Sequence, residues 1–228
     1  MASGFTIQQK RAIVLDSLLP MLRNDLHRVC DSTCSDHGRP GSGPNFIAAM
    51  LCLLACEVIG RLSSDPALEG DAATVDFLHR VSTHSGDSRY LQAATALIAY
   101  FRHGIVHSFM PKQPSIVRGR VDWAQWEGSE SGVCVGFLRG KAGGGMRAQL
   151  RSRHLVVRED QGERLFAVVP QILYVDVLAA IDAFEQELRA SDDAISPWFE
   201  AGFEKWWGRA SSIRGQLDQA GRDYLGIA

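Results

Sequence analysis

The fold is decided by an unbroken apolar stretch, Phe46-Ile47-Ala48-Ala49-Met50-Leu51-Cys52-Leu53-Leu54-Ala55-Cys56. A helix formed here has apolar side chains on every face, so it must be buried on all sides. The stretch therefore predicts a central helix of a helical bundle, with Asn45 as its N-cap and Ile59 near its end. It is too short to cross a bilayer as a helix, because a span takes about 20 apolar residues.

Helical patterns continue on both sides of this stretch. Residues 5–31 have apolar positions every three to four residues, and Pro20 is expected to bend or split that helix. Similar patterns and capping residues predict further helices over residues 74–84, 88–109, 170–190, 196–209 and 211–225.

A different pattern separates the two helical parts. Short runs rich in Val, Leu and Phe predict about four antiparallel strands, over residues 116–122, 133–138, 154–158 and 165–169. The expected fold is α+β and mainly α, an antiparallel helical bundle with a small antiparallel β insertion. Residues 1–110 would form the first part of the bundle and residues 111–169 a β-rich basic insertion. Residues 170–228 would be C-terminal helices that complete the bundle.

The overall composition is that of an ordinary globular protein. The 228 residues are 46% hydrophobic and 22% charged, which excludes general disorder and a fibrous repeat. The net charge is −2, so any contact with nucleic acid must come from a local basic patch. Five cysteines argue against a secreted disulfide framework, and the N-terminus lacks the apolar core of a signal peptide. We expect a soluble, cytoplasmic protein.

A second run, Arg102-His103-Gly104-Ile105-Val106-His107, contains the groups best suited to chemistry. His103 and His107 are four residues apart, so on an ideal helix they share a face. The opposite face is expected to be the core face, with Tyr90, Ala94, Leu97, Phe101, Ile105 and Phe109. The histidine face also has Gln92, Ala96 and Ala99, and its lack of charge predicts that another helix or a second copy packs there.

This run resembles the Arg-polar-x-x-x-His signature of the HEPN superfamily, in which the second position is usually Asn, Asp or His. HEPN proteins are α-helical bundles and often homodimers, and many are metal-independent endoribonucleases of toxin–antitoxin, RNA-processing and antiviral systems. The resemblance implies a homodimer in which the Arg and His of two protomers form one composite site. It implies RNA as the substrate and neither a metal nor another cofactor, and it leaves a protein antitoxin open as a partner.

The resemblance also implies a role for each residue of the signature. His107 would be the general base or acid on the ribose 2′-hydroxyl and the leaving oxygen. Arg102 would bind the scissile phosphate, and His103 would orient the other groups. These roles suit the side chains, since imidazole titrates near neutral pH and a guanidinium binds two phosphate oxygens at once.

A basic segment lies inside the β insertion. Between Glu130 and Glu159 there is no acidic residue, but there are several Arg and Lys residues in a glycine-rich context. Such a segment is suited to binding the phosphate backbone, and we expect five residues to do so, namely Arg139, Lys141, Arg147, Arg151 and Arg153. The alternative interpretation is a solvated loop between strands.

Other interpretations of these groups stay open. The histidines can lie at a helix C-terminus, where one of them bonds a terminal carbonyl. A His pair at this spacing is also half of a helical metal site, although no third ligand is apparent. The cysteines Cys30, Cys34, Cys52 and Cys56 invite a zinc interpretation, but their spacing and the apolar surroundings of the last two favour core packing.

Two classes of function follow from these patterns. The first is a HEPN-like metal-independent endoribonuclease, such as a toxin or an antiviral defence effector of a bacterial cell. The second is a non-catalytic helical module that dimerises and binds RNA or a protein partner.

Overall fold

The structure, a computed structural model, describes residues 4–35, 45–102, 116–117, 120–121, 133–137, 146–160, 163–190 and 198–208. Its helices are α1 (Ile7–Ile13), α2 (Leu19–Ser35), α3 (Asn45–Ser63), α4 (Asp71–Ser85), α5 (Arg89–Ala96), α6 (Met146–Ser152), α7 (Pro170–Arg189) and α8 (residues 198–208). Two π-helical segments, Val14–Leu18 and Leu97–Arg102, join α1 to α2 and extend α5. The protein is mainly helical. No helix in these ranges is long and apolar enough to cross a membrane.

Helix α3 lies at the centre of the helical part, which confirms the prediction from its apolar stretch. It packs against α2, α4, α7 and the π-helical segment Leu97–Arg102. Cys52 and Cys56 are fully buried in this core, and burial raises the pKa of the Cys56 thiol. Core packing is therefore the role of both thiols. The described residues contain no group of three or more His, Cys, Asp or Glu side chains placed to hold a metal ion.

The helix break expected near Pro20 takes the form of a π-helical turn. The Leu19 N–H donates to the Val14 carbonyl, five residues earlier. Proline has no N–H to donate to a carbonyl of the preceding turn. A π-helical turn at this point joins residues five apart instead of four, so the helix continues past the proline. Helix α7 begins with Pro170 in its first turn, as the sequence predicts.

The β insertion differs from the all-antiparallel sheet that the sequence predicts. Strands β1 (Ile116–Val117) and β2 (Arg120–Val121) form an antiparallel pair. The other strands, β3 (Val133–Phe137), β4 (Val156–Asp160) and β5 (Glu163–Val168), form a sheet of order β3-β5-β4. β4 and β5 are antiparallel, but β3 lies parallel to β5. The long connection between β3 and β5 supplies the crossover that a parallel pair requires.

The basic segment contains a helix, α6, that the sequence did not predict. The first strand after it begins at Val156, two residues later than the expected start at His154. The intervening Leu155 has a positive φ of 54°, a conformation that turns the chain from α6 into β4. Its N–H donates to the Ala167 carbonyl of β5, which stabilises this turn.

The three-stranded sheet and the helices share one hydrophobic core. Phe166 of β5 makes an edge-to-face contact with Phe101, their ring centroids 5.9 Å apart. Leu155 and Val168 belong to the same buried cluster as the side chains of α3 and α7. The sheet therefore packs directly against the helix that leads to Arg102.

Two glycines let neighbouring helices approach α3 closely. A Cβ atom on Gly60 would lie 2.3 Å from the backbone oxygen of Ala73, at the start of α4. A Cβ atom on Gly202 of α8 would lie 2.4 Å from the backbone oxygen of Arg61. Since only glycine avoids both clashes, these positions set the distance between the helices. The first of them brings the N-terminus of α4 beside the C-terminal half of α3.

Candidate functional site

Arg102 is the last described residue of the π-helical segment that extends α5. The predicted core face of this helix is confirmed as far as Phe101, because Tyr90, Ala94, Leu97 and Phe101 are buried. Its last two residues, Ile105 and Phe109, lie outside the described residues. His103 and His107 lie outside the described residues, so their position relative to Arg102 stays a prediction. A π-helical turn directly before a candidate site is a recurrent feature of functional helices.

The opposite face of the helix is only partly as expected. Gln92 is exposed and Ala99 is half-buried, but Ala96 is completely buried by its own chain. Of the two occupants predicted for this face, another helix or a second copy, the chain itself covers Ala96, and a homodimer stays a prediction. The physical reason is that close neighbours within the chain occupy the space that a small side chain leaves.

Two carboxylates hold the guanidinium of Arg102. Its Nε donates to Glu57 Oε2 at 3.0 Å, and its Nη2 donates to the same oxygen. Its Nη1 lies 3.6 Å from Asp71 Oδ1, at the first residue of α4. Glu57 also accepts a hydrogen bond from Arg61, at 2.8 Å on its other oxygen. We call Glu57, Arg61, Asp71 and Arg102 the Arg102 cluster.

The carboxyl group of Glu57 is ionised in this cluster. Burial raises its pKa, but hydrogen bonds from Arg102 and Arg61 outweigh burial, so the pKa lies below its ordinary value. With two arginines and two carboxylates, the formal charges of the cluster cancel. The cluster can therefore hold the guanidinium of Arg102 in one orientation without creating a large local electric field.

Of the two carboxylates that bind Arg102, one could have been singled out from the sequence. Glu57 directly follows the unbroken apolar stretch of α3, and a charge on a buried helix requires a partner. The partner itself was not predictable, because Arg102 is 45 residues away along the chain. Asp71 gave no comparable signal, since an acidic residue in the first turn of a helix is common.

A second polar cluster lies between α5, α6 and α7, in the interior. The Val169 N–H donates to Nδ1 of His154 at 3.0 Å, so the neutral ring has its hydrogen on Nε2. That Nε2 donates to the Tyr90 hydroxyl at 2.9 Å, and the hydroxyl donates to Asp176 Oδ2 at 3.1 Å. Burial lowers the pKa of His154 to about 3 and raises the pKa of Tyr90 well above its ordinary value. Both rings are therefore neutral at physiological pH.

Arg151 joins the basic segment to this second cluster. Its guanidinium binds both carboxylate oxygens of Asp176, at 2.5 and 3.0 Å, and lies 3.4 Å from Asp87. Arg89 also binds Asp87, at 2.5 Å, and donates to the backbone oxygen of Arg151 at 2.8 Å. These contacts anchor the C-terminal end of α6 to the helical core.

The structure describes only some of the residues that were predicted to bind nucleic acid. Arg139, Lys141 and the side chain of Arg147 lie outside the described part of the chain. Arg153 is exposed, whereas Arg151 is occupied by carboxylates. The structure thus provides a structural role for Arg151, and RNA binding by the segment stays a prediction.

Alanine in place of Arg151 is expected to lower the free energy of unfolding by about 3 kcal/mol, because it leaves the charge of Asp176 buried without its ionic partner. We take the lower end of the usual range because the Arg151 side chain is itself 29% exposed, whereas that of Asp176 is 2% exposed. Urea denaturation at neutral pH measures the change. The control is Arg153→Ala, two residues away and exposed, with an expected change within about 0.5 kcal/mol. Equal small losses in both variants would contradict the anchoring role.

The chain matches no protein-family model, no curated protein and no solved structure. The resemblance of residues 102–107 to the HEPN signature therefore stands without support from a relative.

Proposed function

We propose that this protein is a HEPN-like, metal-independent endoribonuclease whose helices form a bundle of the HEPN type. The proposal rests on one observation, the position of Arg102. This arginine begins the signature at the end of a π-helical segment, and carboxylates from α3 and α4 hold its guanidinium. A guanidinium held in this way has lost much of its rotational freedom, which reduces the cost of orienting it on a phosphate.

In the proposed reaction, His107 takes the proton of a ribose 2′-hydroxyl while the 2′-oxygen attacks the adjacent phosphorus. The bond from phosphorus to the 5′-oxygen breaks, and that oxygen takes a proton from an acid in the site. The products are a 2′,3′-cyclic phosphate and a 5′-hydroxyl end. Arg102 binds the phosphate oxygens, whose negative charge grows in the transition state, and His103 orients the reacting groups.

The assembly proposed for this reaction is a homodimer, in which Arg102 of one protomer and His107 of its partner share one site. On a straight helix, residues five positions apart point in different directions, at 100° per residue. A second protomer is the simplest way to bring both side chains to one phosphate. The basic segment around Arg153 would bind the RNA backbone outside the site, and the enzyme would act as a toxin or a defence effector.

The alternative is a non-catalytic module that dimerises and binds RNA or a protein partner. One observation favours it: the charge of Arg102 is already compensated by Glu57 and Asp71. An arginine paired in this way can have a purely structural role, which is to join α3, α4 and the extension of α5.

An RNA cleavage assay in EDTA separates the two candidates. We expect the parent protein to cut labelled structured RNA and to leave 2′,3′-cyclic phosphate ends, and the Arg102→Ala/His107→Ala double variant to leave the RNA intact. The matched control is Arg23→Ala, which removes an arginine that also binds two carboxylates, Asp182 and Glu185, but lies outside the signature. Intact RNA with the parent protein would favour the non-catalytic module.

A further inference from the structure

The ring of His154 is bound at both nitrogens in a way that suits its neutral form. Nδ1 accepts the N–H of Val169, the residue before α7, at 3.0 Å, and Nε2 lies 2.9 Å from the hydroxyl of Tyr90. A charged imidazole has a hydrogen on both nitrogens. A hydrogen on Nδ1 would point at the Val169 N–H, so two donors would face each other. Protonation of His154 therefore requires that this contact open.

Charged and titratable groups surround this ring from several helices. They are Arg89 and Tyr90 of α5, Asp87 before it, Arg151 of α6, Asp176 of α7 and, beyond Tyr90, Cys56 of α3. Two arginines and two carboxylates oppose one another here, so their effects on the ring largely cancel. Complete burial therefore decides the state of the ring, and it lowers the pKa of His154 to about 3. The folded site thus excludes a proton by geometry and by burial.

The turn that contains His154 joins α6 to β4 and has an unfavourable backbone conformation at Leu155. Its φ of 54° lies in the left-handed region, which a branched side chain disfavours. After Leu155, β4 is fixed by its antiparallel pairing with β5. Before it, Leu150 of α6 packs on Val169 and Ile172 in a small buried cluster that is distinct from the main core. The turn therefore opens more easily on the α6 side of Leu155 than on the β4 side.

We infer that His154 is an acid-operated latch, whose protonation releases the end of α6 from the helical core at Leu155 while β4 and the bundle stay folded. In the released turn the ring is in water and has its ordinary pKa of 6.5, so release becomes more favourable as the pH falls below this value. Release also separates Arg151 from Asp87 and Asp176, and the basic segment gains an accessible charge. The latch does not depend on the proposed ribonuclease activity.

Native-state hydrogen exchange at pH 6.5 and 4.5 tests the latch, with each amide rate divided by its intrinsic rate at that pH. The reporter is the amide of Val169, whose acceptor is the ring itself, and the reference is the amide of Leu53 in the buried centre of α3. We expect the opening constant of Val169 to rise about 50-fold between these pH values, because only the released ring binds the proton. Its exchange should be faster than that of Leu53 and insensitive to dilute urea, since a local opening exposes little surface.

His154→Gln is the matched variant, because its amide can accept from Val169 and donate to Tyr90 but does not titrate. Exchange at Val169 should no longer rise with acid in this variant. His84→Gln, which changes an exposed histidine of α4, should keep the parental rise. An acid rise that persists in His154→Gln would overturn the inference.

Two measurements on the parent protein keep the latch testable even if His154→Gln fails to fold. NMR of the ring nitrogens should show Nδ1 of His154 without a hydrogen wherever the Val169 amide is protected. A charged ring with that amide still protected would contradict the latch. Exchange at Val169 that is as slow and as sensitive to urea as that at Leu53 would also contradict it, because acid would then act through global unfolding.

Discussion

Alanine in place of His107 is expected to lower the rate of RNA cleavage by about 10²–10⁴-fold while the protein stays folded. This is the usual contribution of a positioned general acid or base, and truncating the ring removes the proton transfer. The rate is measured under single-turnover conditions, with circular dichroism and denaturation midpoints as the test of folding. The pH–rate profile of the parent should bend near the ordinary imidazole pKa of about 6.5, displaced by the surroundings of the ring.

Two comparisons make this result specific to His107. His103→Ala is expected to lose less activity, because an orienting group does not transfer the proton. His84→Ala removes an exposed histidine of α4 and should leave the rate unchanged. A folded His107→Ala variant that cuts RNA at the parental rate would exclude the proposed site.

The second large effect is a loss of stability in mild acid that depends on His154. The pKa of His154 is lowered by burial from 6.5 to about 3 in the folded protein. Below pH 6.5 the unfolded chain therefore binds a proton that the folded chain does not, and the folded state loses stability as the pH falls. The slope approaches about 1.4 kcal/mol per pH unit below this value, so we expect a loss of about 2 kcal/mol between pH 6.5 and 4.5.

This pH window separates His154 from the carboxylates. Carboxyl groups with a lowered pKa, such as Glu57, Asp87 and Glu185, keep their stabilising effect above their ordinary values of 4.5 and 3.8. Urea denaturation at several pH values between 7 and 4.5 therefore reports mainly on histidine.

His154→Gln is the variant that tests the assignment, because it keeps a neutral polar side chain but removes the titrating ring. Its stability should change much less between pH 6.5 and 4.5 than that of the parent. His84→Gln, on the surface, should keep the parental pH dependence. A His154→Gln variant with the same acid slope as the parent would show that another group binds the proton.

Local sequence patterns were sufficient for most of the helical part. The apolar stretch before Glu57 predicts a buried helix because no face of it can contact water, and α3 is central. Pro170 predicts the start of α7 because its ring has the φ of a first helical turn. The signature was found because its residues are neighbours in the chain. Its helix context was predictable as far as Arg102, but the π-helical segment was not.

The contacts of the candidate site were not predictable, since they join residues far apart along the chain. Arg102 and Glu57 are 45 residues apart, and Tyr90 is 64 residues from His154 and 86 from Asp176. The basic composition around Arg151 predicted phosphate binding, because composition shows charge but not the buried carboxylates that compensate it. The parallel direction of β3 was missed for a similar reason, as short apolar runs look alike in either direction.

The sequence alone thus determined most of the described helices, their buried faces and the place of the signature, because hydrophobic periodicity and capping act over a few residues. The tertiary structure decided which charges meet. It joined Glu57 and Asp71 to the guanidinium of Arg102, and it joined Arg151, at the end of α6, to Asp176. These pairings depend on the distances between packed helices, such as the approach at Gly60, and no short stretch of the chain encodes such a distance.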